Sequence, residues 1–147
     1  MNLFIESHQL VLRKLIEHKI NFIVTGGYSV IFYGYQRTTG DVDIWLKPDN
    51  DNKLRLLPVL RFIGIVEEDI QHITNLDFSK HLSFSFGEEP EKIDFITRIN
   101  LVEYEEADKM KVQAEVDGLS ADSAAFGAYL VLVRGCSWLV PYWRGTT

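Results

Sequence analysis

The sequence predicts an α/β (α+β) domain with a mixed central sheet flanked by helices, on three observations. Short apolar runs typical of buried strands alternate with segments whose apolar residues recur at helical spacing. Glycine, proline, asparagine and aspartate residues separate these segments, as expected of tight turns. The 147 residues, of which 46% are hydrophobic, are enough for one buried core but would leave two independent domains marginal.

The first half of the chain alternates between helix and strand. A buried strand ends at Gly26-Gly27, and a later helix ends just before Gly64. Asn2 is the candidate N-cap of the first helix. The predicted elements are, in order, a helix over residues 4–16, a strand over 20–25, a short helix over 28–33, a strand over 42–46 and a helix over 52–63.

The second half begins with a hairpin. Leu82, Phe84 and Phe86 alternate with serines, which predicts a half-buried strand, and a Gly-Glu-Glu-Pro turn leads into a second strand over residues 92–97. A short charged helix over residues 104–110 and a strand over 112–116 are predicted to follow.

The composition changes after Asp117, so we predict a core domain over residues 1–117 and a C-terminal apolar tail over 118–147. The tail has only three charged residues but two of the three tryptophans. In one interpretation, an apolar helix over residues 124–133 packs on the sheet. In the other interpretation, a change of reading frame has produced the tail, so that it is not the native continuation of the core domain.

Charge and cysteine content narrow the class of protein. The net charge of -6 opposes broad binding to nucleic acid, which depends on Lys and Arg. No apolar run reaches the roughly 18 to 20 residues that a membrane-spanning helix requires, and the N-terminus lacks the features of a secretion signal. Cys136 is the only cysteine, which agrees with a reducing compartment. We expect a cytoplasmic protein with no membrane contact.

Three aspartates are candidate metal ligands. Asp41 and Asp43 are separated by one residue on a predicted strand, so both carboxylates point to one face while Val42 points into the core. Asp94 is flanked by apolar residues on a predicted central strand. A nearby cation would explain why an ionisable residue occupies this position. Hard oxygen ligands of this kind suit Mg²⁺ or Mn²⁺. We expect the three carboxylates to lie roughly 3 to 8 Å apart, as two-metal sites demand.

Each aspartate taken alone has an ordinary alternative explanation. For Asp41 and Asp43 the alternative is a solvated strand edge, or a turn without a helix, that pairs with Arg37 or Lys47. For Asp94 it is a salt bridge to Lys92 or Arg98. The four histidines show no metal-ligand spacing, and we expect them at the surface or at helix ends: His8, His18, His72 and His81.

The glycine pair is a candidate phosphate cradle. Gly26 and Gly27 lie between a predicted strand and a helix, where backbone N–H groups can face an anion without a Cβ in the way. A tight turn explains the pair equally simply. Ser29 can add a hydroxyl to the same phosphate or be an ordinary polar residue of the helix. Arg37 can contact phosphate or form an ion pair with a neighbouring acid.

These motifs together resemble the DNA polymerase β-like nucleotidyltransferase superfamily, and within it the small bacterial minimal and antitoxin-type members. The resemblance covers about residues 22–99, and after Val116 the chain departs from the helical C-terminal region of many active relatives. The motifs are, in order, Val24-Thr25-Gly26-Gly27, then Arg37-Thr38-Thr39-Gly40-Asp41-Val42-Asp43-Ile44, then Ile93-Asp94-Phe95.

The resemblance implies a nucleotidyltransferase fold and a metal-dependent enzyme. Gly26, Gly27 and Ser29 would bind the phosphates of a nucleoside triphosphate such as ATP. Asp41 and Asp43 would ligate two Mg²⁺ ions, and Asp94 would ligate one of them and help to deprotonate the acceptor hydroxyl. The acceptor would be a small molecule, a protein or an RNA end. The alternative is an inactive or weakly active module of this fold that binds a protein partner, as in a toxin-antitoxin pair.

Overall fold

The computed structural model describes residues 5–25, 40–99, 103–110, 112–113 and 129–130, and for Met110 and the last two pairs it describes the backbone only. The predicted helix over residues 28–33 and the candidate phosphate-binding residues Gly26, Gly27, Ser29 and Arg37 lie outside these ranges. The helices of the described chain are α1 (Glu6–Glu17), α2 (Asn50–Phe62), α3 (Glu67–Thr74) and α4 (Tyr104–Met110).

The strands form one mixed sheet with the order β3-β4-β2-β1-β6-β5. Four strands of four to six residues make up its larger part: β1 (Phe22–Thr25), β2 (Asp41–Leu46), β3 (Ser83–Phe86) and β4 (Lys92–Ile96). Two strands of two residues each extend it: β5 (Val112–Gln113) and β6 (Tyr129–Leu130). Strands β2 and β4 run parallel at the centre, and each has an antiparallel partner on its other side, β1 and β3 respectively. The predicted mixed α/β architecture is therefore confirmed at this level.

The main hydrophobic core lies on one face of the sheet. Val42 and Ile44 of β2 are fully buried there, as the alternation of the strand predicts, and they belong to one cluster with apolar residues of α1, α2 and α3. The opposite face of β2 presents Asp41, Asp43 and Trp45. Trp45 is buried on that face and packs edge-on against Tyr104 of α4, with the ring centroids 5.3 Å apart.

A buried asparagine fixes the ends of β1 and β2 to α2. The Asn52 side chain is 1% exposed. Its amide nitrogen donates to the backbone oxygens of Asn21 and Lys47, and its oxygen accepts from the backbone N–H of Asn21. The N-terminal end of β1, the C-terminal end of β2 and the first turn of α2 are thereby held together. The helix itself is capped by Asp49, whose side chain accepts from the N–H of Asn52.

Several predicted boundaries differ from the observed ones. Ile5, rather than Asn2, is the N-cap of α1, and its side chain makes no capping hydrogen bond. Helix α3 was missing from the predicted elements because it has only eight residues, of which only Ile70 and Ile73 are buried, so it carries little periodic signal.

The predicted helix over residues 124–133 is wrong at Tyr129 and Leu130, which form β6. This strand pairs in parallel with β1, with Tyr129 opposite Ile23 and Leu130 opposite Val24, and antiparallel with β5. An apolar run of this length fits a buried strand or a helix equally well, and the unpaired edge of β1 favours a strand because it needs backbone partners. At these two residues the C-terminal segment pairs with β1.

Among the described residues, no helix combines the length and the apolar composition needed to cross a membrane.

Candidate metal centre

The three candidate aspartates meet because of the register of the two parallel strands. Asp43 of β2 lies directly opposite Asp94 of β4, and the pairing continues from Asp41 opposite Lys92 to Trp45 opposite Ile96. Register partners on neighbouring strands project to the same face, and residues two apart on one strand do so as well. Asp41, Asp43 and Asp94 therefore share the face opposite the main core.

Their carboxylates form one compact group. One oxygen from each of the three half-buried side chains lies within 4.8 Å of one oxygen from each of the others. This confirms the predicted grouping. In a two-metal site the ions themselves lie about 3.5 to 4 Å apart, so ligand oxygens spread over a comparable distance fit one ion or two. The group is thus able to hold a divalent cation.

Asp43 shows how strongly the three carboxylates repel one another. Its burial, the negative charges of Asp41 and Asp94 and a hydrogen bond with Asp94 together raise its pKa from 3.8 to about 7. The ammonium group of Lys92 acts in the opposite direction but does not cancel these effects. A carboxyl group that retains a proton near neutral pH is one that lacks sufficient positive charge nearby, and a bound cation would supply it.

The contacts of Asp94 favour its ionised form, unlike those of Asp43. The hydroxyl of Ser85 donates a hydrogen bond to its Oδ1, and the Nζ of Lys92 lies 3.4 Å from the same oxygen. Burial opposes its ionisation, but the hydrogen bonds with Asp41 and Ser85 and the positive charge of Lys92 outweigh that effect, so the pKa of Asp94 is lowered from its usual value. The surroundings of Asp43 thus favour its protonated form, and those of Asp94 favour its ionised form.

The residues next to the triad belong to β1 and to the turns that precede β2 and β4. At Gly40, just before β2, an added Cβ would come within 2.5 Å of the Glu89 side chain, so only glycine fits there while Glu89 keeps this position. Thr25, the last residue of β1, lies opposite Asp43 and is buried. Thr25 directly precedes Gly26, which lies outside the described residues.

His8 corrects the expectation that all four histidines lie at the surface or at helix ends. It is fully buried, and its Nε2 donates to the backbone oxygen of Lys92, 3.1 Å away, which ties α1 to β4 beside the triad. Burial lowers the pKa of His8. The other three follow the expectation: His18 caps the C-terminal end of α1, and His72 and His81 are exposed.

Among the described residues, one of the ion pairs that offered an alternative explanation is present, and Arg37 lies outside those residues. Lys92 contacts Asp94. Lys47 instead lies 3.7 Å from Asp49, and the guanidinium of Arg98 donates to the backbone oxygen of Ser79. The ion pair with Lys92 accounts for Asp94, whereas the strand register brings Asp41 and Asp43 to the same face.

The sequence offered Lys92 as a candidate partner of Asp94 but did not reveal Ser85 as its neighbour. Lys92 precedes Asp94 by two residues, which on a strand predicts the same face. Ser85 is found only once the hairpin register is known, because a shift by one residue would turn its side chain away.

The comparisons with known proteins leave the resemblance to nucleotidyltransferases as a prediction from the motifs. No family model matches the chain, and neither a curated protein nor a solved structure matches it significantly.

Proposed function

We propose that this protein is a metal-dependent nucleotidyltransferase, which moves a nucleoside monophosphate from a triphosphate to an acceptor hydroxyl. The observation that supports this proposal most is the grouping of Asp41, Asp43 and Asp94 across two parallel strands in the order that the motifs anticipate. The chemistry of the donor set fits the metal: three carboxylates are hard oxygen ligands, suited to Mg²⁺ or Mn²⁺.

In this proposal the three aspartates bind divalent ions, which would neutralise the triphosphate and stabilise charge at the α-phosphorus. Asp43, whose pKa is raised by burial and by the neighbouring carboxylates, would give up its proton when a cation binds. Gly26 and Gly27, with Ser29 and Arg37, are proposed to bind the triphosphate beside the end of β1. The acceptor oxygen then forms a bond to the α-phosphorus as the bond to pyrophosphate breaks.

The lowered pKa of Asp94 bears on its role. A carboxylate that is stabilised in its ionised form is a good metal ligand and a weak proton acceptor. We therefore assign Asp94 to metal binding first, and in this proposal the proton of the acceptor hydroxyl passes to water.

The clustering of the three carboxylates also favours an enzyme over a module that only binds a protein partner. A binding module gains nothing from three mutually repelling carboxylates, whereas a metal site requires them.

The experiment is incubation of the chain with Mg²⁺ and each α-labelled nucleoside triphosphate, together with candidate protein and RNA acceptors. We expect labelled acceptor and release of pyrophosphate. The Asp41→Ala, Asp43→Ala double variant should lose both, and Gly27→Val should weaken triphosphate binding. A matched control is Asp51→Asn, an exposed residue of α2. Transfer that persists in the double variant would contradict the proposal.

A further inference from the structure

Two side chains on neighbouring strands contact the same oxygen of Asp94. The Ser85 hydroxyl and the Lys92 ammonium both meet Oδ1. A carboxylate can bind a cation through one oxygen or through both, and here one of the two already has a donor and a positive charge beside it. A metal ion that approached Oδ1 would have to displace the hydroxyl and come close to the ammonium.

We propose that Ser85 and Lys92 hold Asp94 as a ligand that binds through Oδ2 alone, and that they thereby give the metal centre its preference for Mg²⁺ or Mn²⁺ over Ca²⁺. This inference rests on the metal centre of the proposed function and assigns its ion selectivity to two positioning residues.

Both residues are held on regular strands. Ser85 of β3 is the register partner of Asp94, and Lys92 precedes Asp94 by two residues on β4. The backbone oxygen of Lys92 accepts a hydrogen bond from the buried His8. Groups fixed to strands in this way keep their geometry more accurately than groups on loops. The contacts to Oδ1 are thus a built-in feature of the sheet.

Selectivity follows from how the two kinds of ion use carboxylates. Mg²⁺ demands a nearly octahedral arrangement and keeps several waters, so one oxygen from each carboxylate suits it. Ca²⁺ takes six to eight oxygens at longer distances and readily accepts both oxygens of one carboxylate. An Asp94 that offers one oxygen therefore disfavours Ca²⁺, and an Asp94 released from Ser85 and Lys92 offers two.

The test uses the full chain and the metals alone. Bound Mn²⁺ is followed by electron paramagnetic resonance while Mg²⁺ or Ca²⁺ is added. The ratio of the Ca²⁺ and Mg²⁺ concentrations that displace the same amount of Mn²⁺ gives the selectivity. We expect the Ser85→Ala, Lys92→Met double variant to shift this ratio toward Ca²⁺ by about tenfold or more, and Ser85→Ala alone to shift it less. Ser85→Thr keeps the hydroxyl and should keep the wild-type ratio.

Ser83→Ala is the matched control, since Ser83 lies on the same face of β3 but opposite Ile96. A merely structural role for Ser85 and Lys92 would weaken all three metals together and leave the ratio unchanged, which would overturn the inference. If Mn²⁺ binding to the wild-type chain is no tighter than to Asp43→Asn, the metal centre and the inference both fail. An unchanged ratio with Asp43-dependent binding overturns the inference alone.

Discussion

Asp43 and Asp94 are register partners on adjacent parallel strands, β2 and β4. This relationship brings together two acidic side chains that are 51 positions apart in the sequence, and Asp41 joins them because it is two residues before Asp43 on the same face. Like charges opposite each other destabilise a sheet unless a cation or a proton separates them.

The first prediction concerns ligand binding. Mg²⁺ with a nucleoside triphosphate should raise the melting temperature, because a ligand that binds only the folded chain stabilises it, by about 2.7 kcal/mol at a hundred times its Kd. Asp43→Asn should remove most of that rise, and Asp51→Asn should leave it intact. Differential scanning fluorimetry measures all three proteins. An equal rise in Asp43→Asn would mean that the nucleotide binds at another place.

The second prediction concerns pH without metal. Asp43 binds its proton more tightly in the folded chain, where its pKa is about 7, than in the unfolded chain, where it is 3.8. Its contribution to the free energy of unfolding is therefore largest at low pH and is lost as the pH rises toward and through 7. Since a tenfold change in proton affinity is worth about 1.4 kcal/mol, the loss can reach a few kcal/mol.

Asp43→Asn removes this titration. In urea denaturation with a chelator present, we expect the variant to exceed the wild-type chain in stability at pH 8, by a margin that shrinks toward pH 5. Added Mg²⁺ should stabilise only the wild-type chain. A margin that is constant across this range would show that Asp43 has an ordinary pKa in the folded chain.

The third prediction concerns Asn52, which anchors the ends of β1 and β2 to α2. Asn52→Ala removes three hydrogen bonds to backbone groups of Asn21 and Lys47. The loss of these part-buried hydrogen bonds should lower the free energy of unfolding by about 2 kcal/mol or more. Asn75→Ala, at an exposed position at the end of α3, should change it by less than about 0.5 kcal/mol. Equal effects in urea titrations would show that Asn52 is not an anchor.

The fourth prediction concerns the C-terminal tail. Leu130→Pro removes a backbone donor from β6, which lies between β1 and β5, so it should lower stability and promote self-association through the edge of β1. Truncation after Asp117 should act in the same direction. Mn²⁺ binding should persist in both, because Asp41, Asp43 and Asp94 precede the tail. If Mn²⁺ binding is lost while the circular dichroism of the core is retained, the tail supports the site and is not peripheral.

The sequence predicted the site better than it predicted the edges of the fold. The spacing of Asp41 and Asp43 on a strand with buried Val42 between them determines which face they share, and this local information is complete in the sequence. That Asp94 lies beside them depends on the pairing of β2 with β4, which alternation alone does not reveal; the order of the motifs supplied it.

Other features were beyond local patterns for physical reasons. Ser85 meets Asp94 only through the hairpin register, and His8 is buried by the packing of α1 on β4. The strand at Tyr129–Leu130 forms because β1 has an edge to pair, a tertiary requirement that overrides an ambiguous apolar run. The roles of Gly26, Gly27, Ser29 and Arg37 stay predictions.

The most direct measurement of the metal centre is a crystal structure of the full chain with Mn²⁺ and a triphosphate analogue that cannot be cleaved at the α-phosphorus, with anomalous differences recorded for manganese. The account predicts at least one manganese peak among Asp41, Asp43 and Asp94, about 2.0 to 2.3 Å from one oxygen of each ligating carboxylate. It also predicts that the α-phosphate lies against that ion and that Oδ1 of Asp94 stays with Ser85 and Lys92. Manganese bound elsewhere on the chain, with the three carboxylates unligated, would contradict the account.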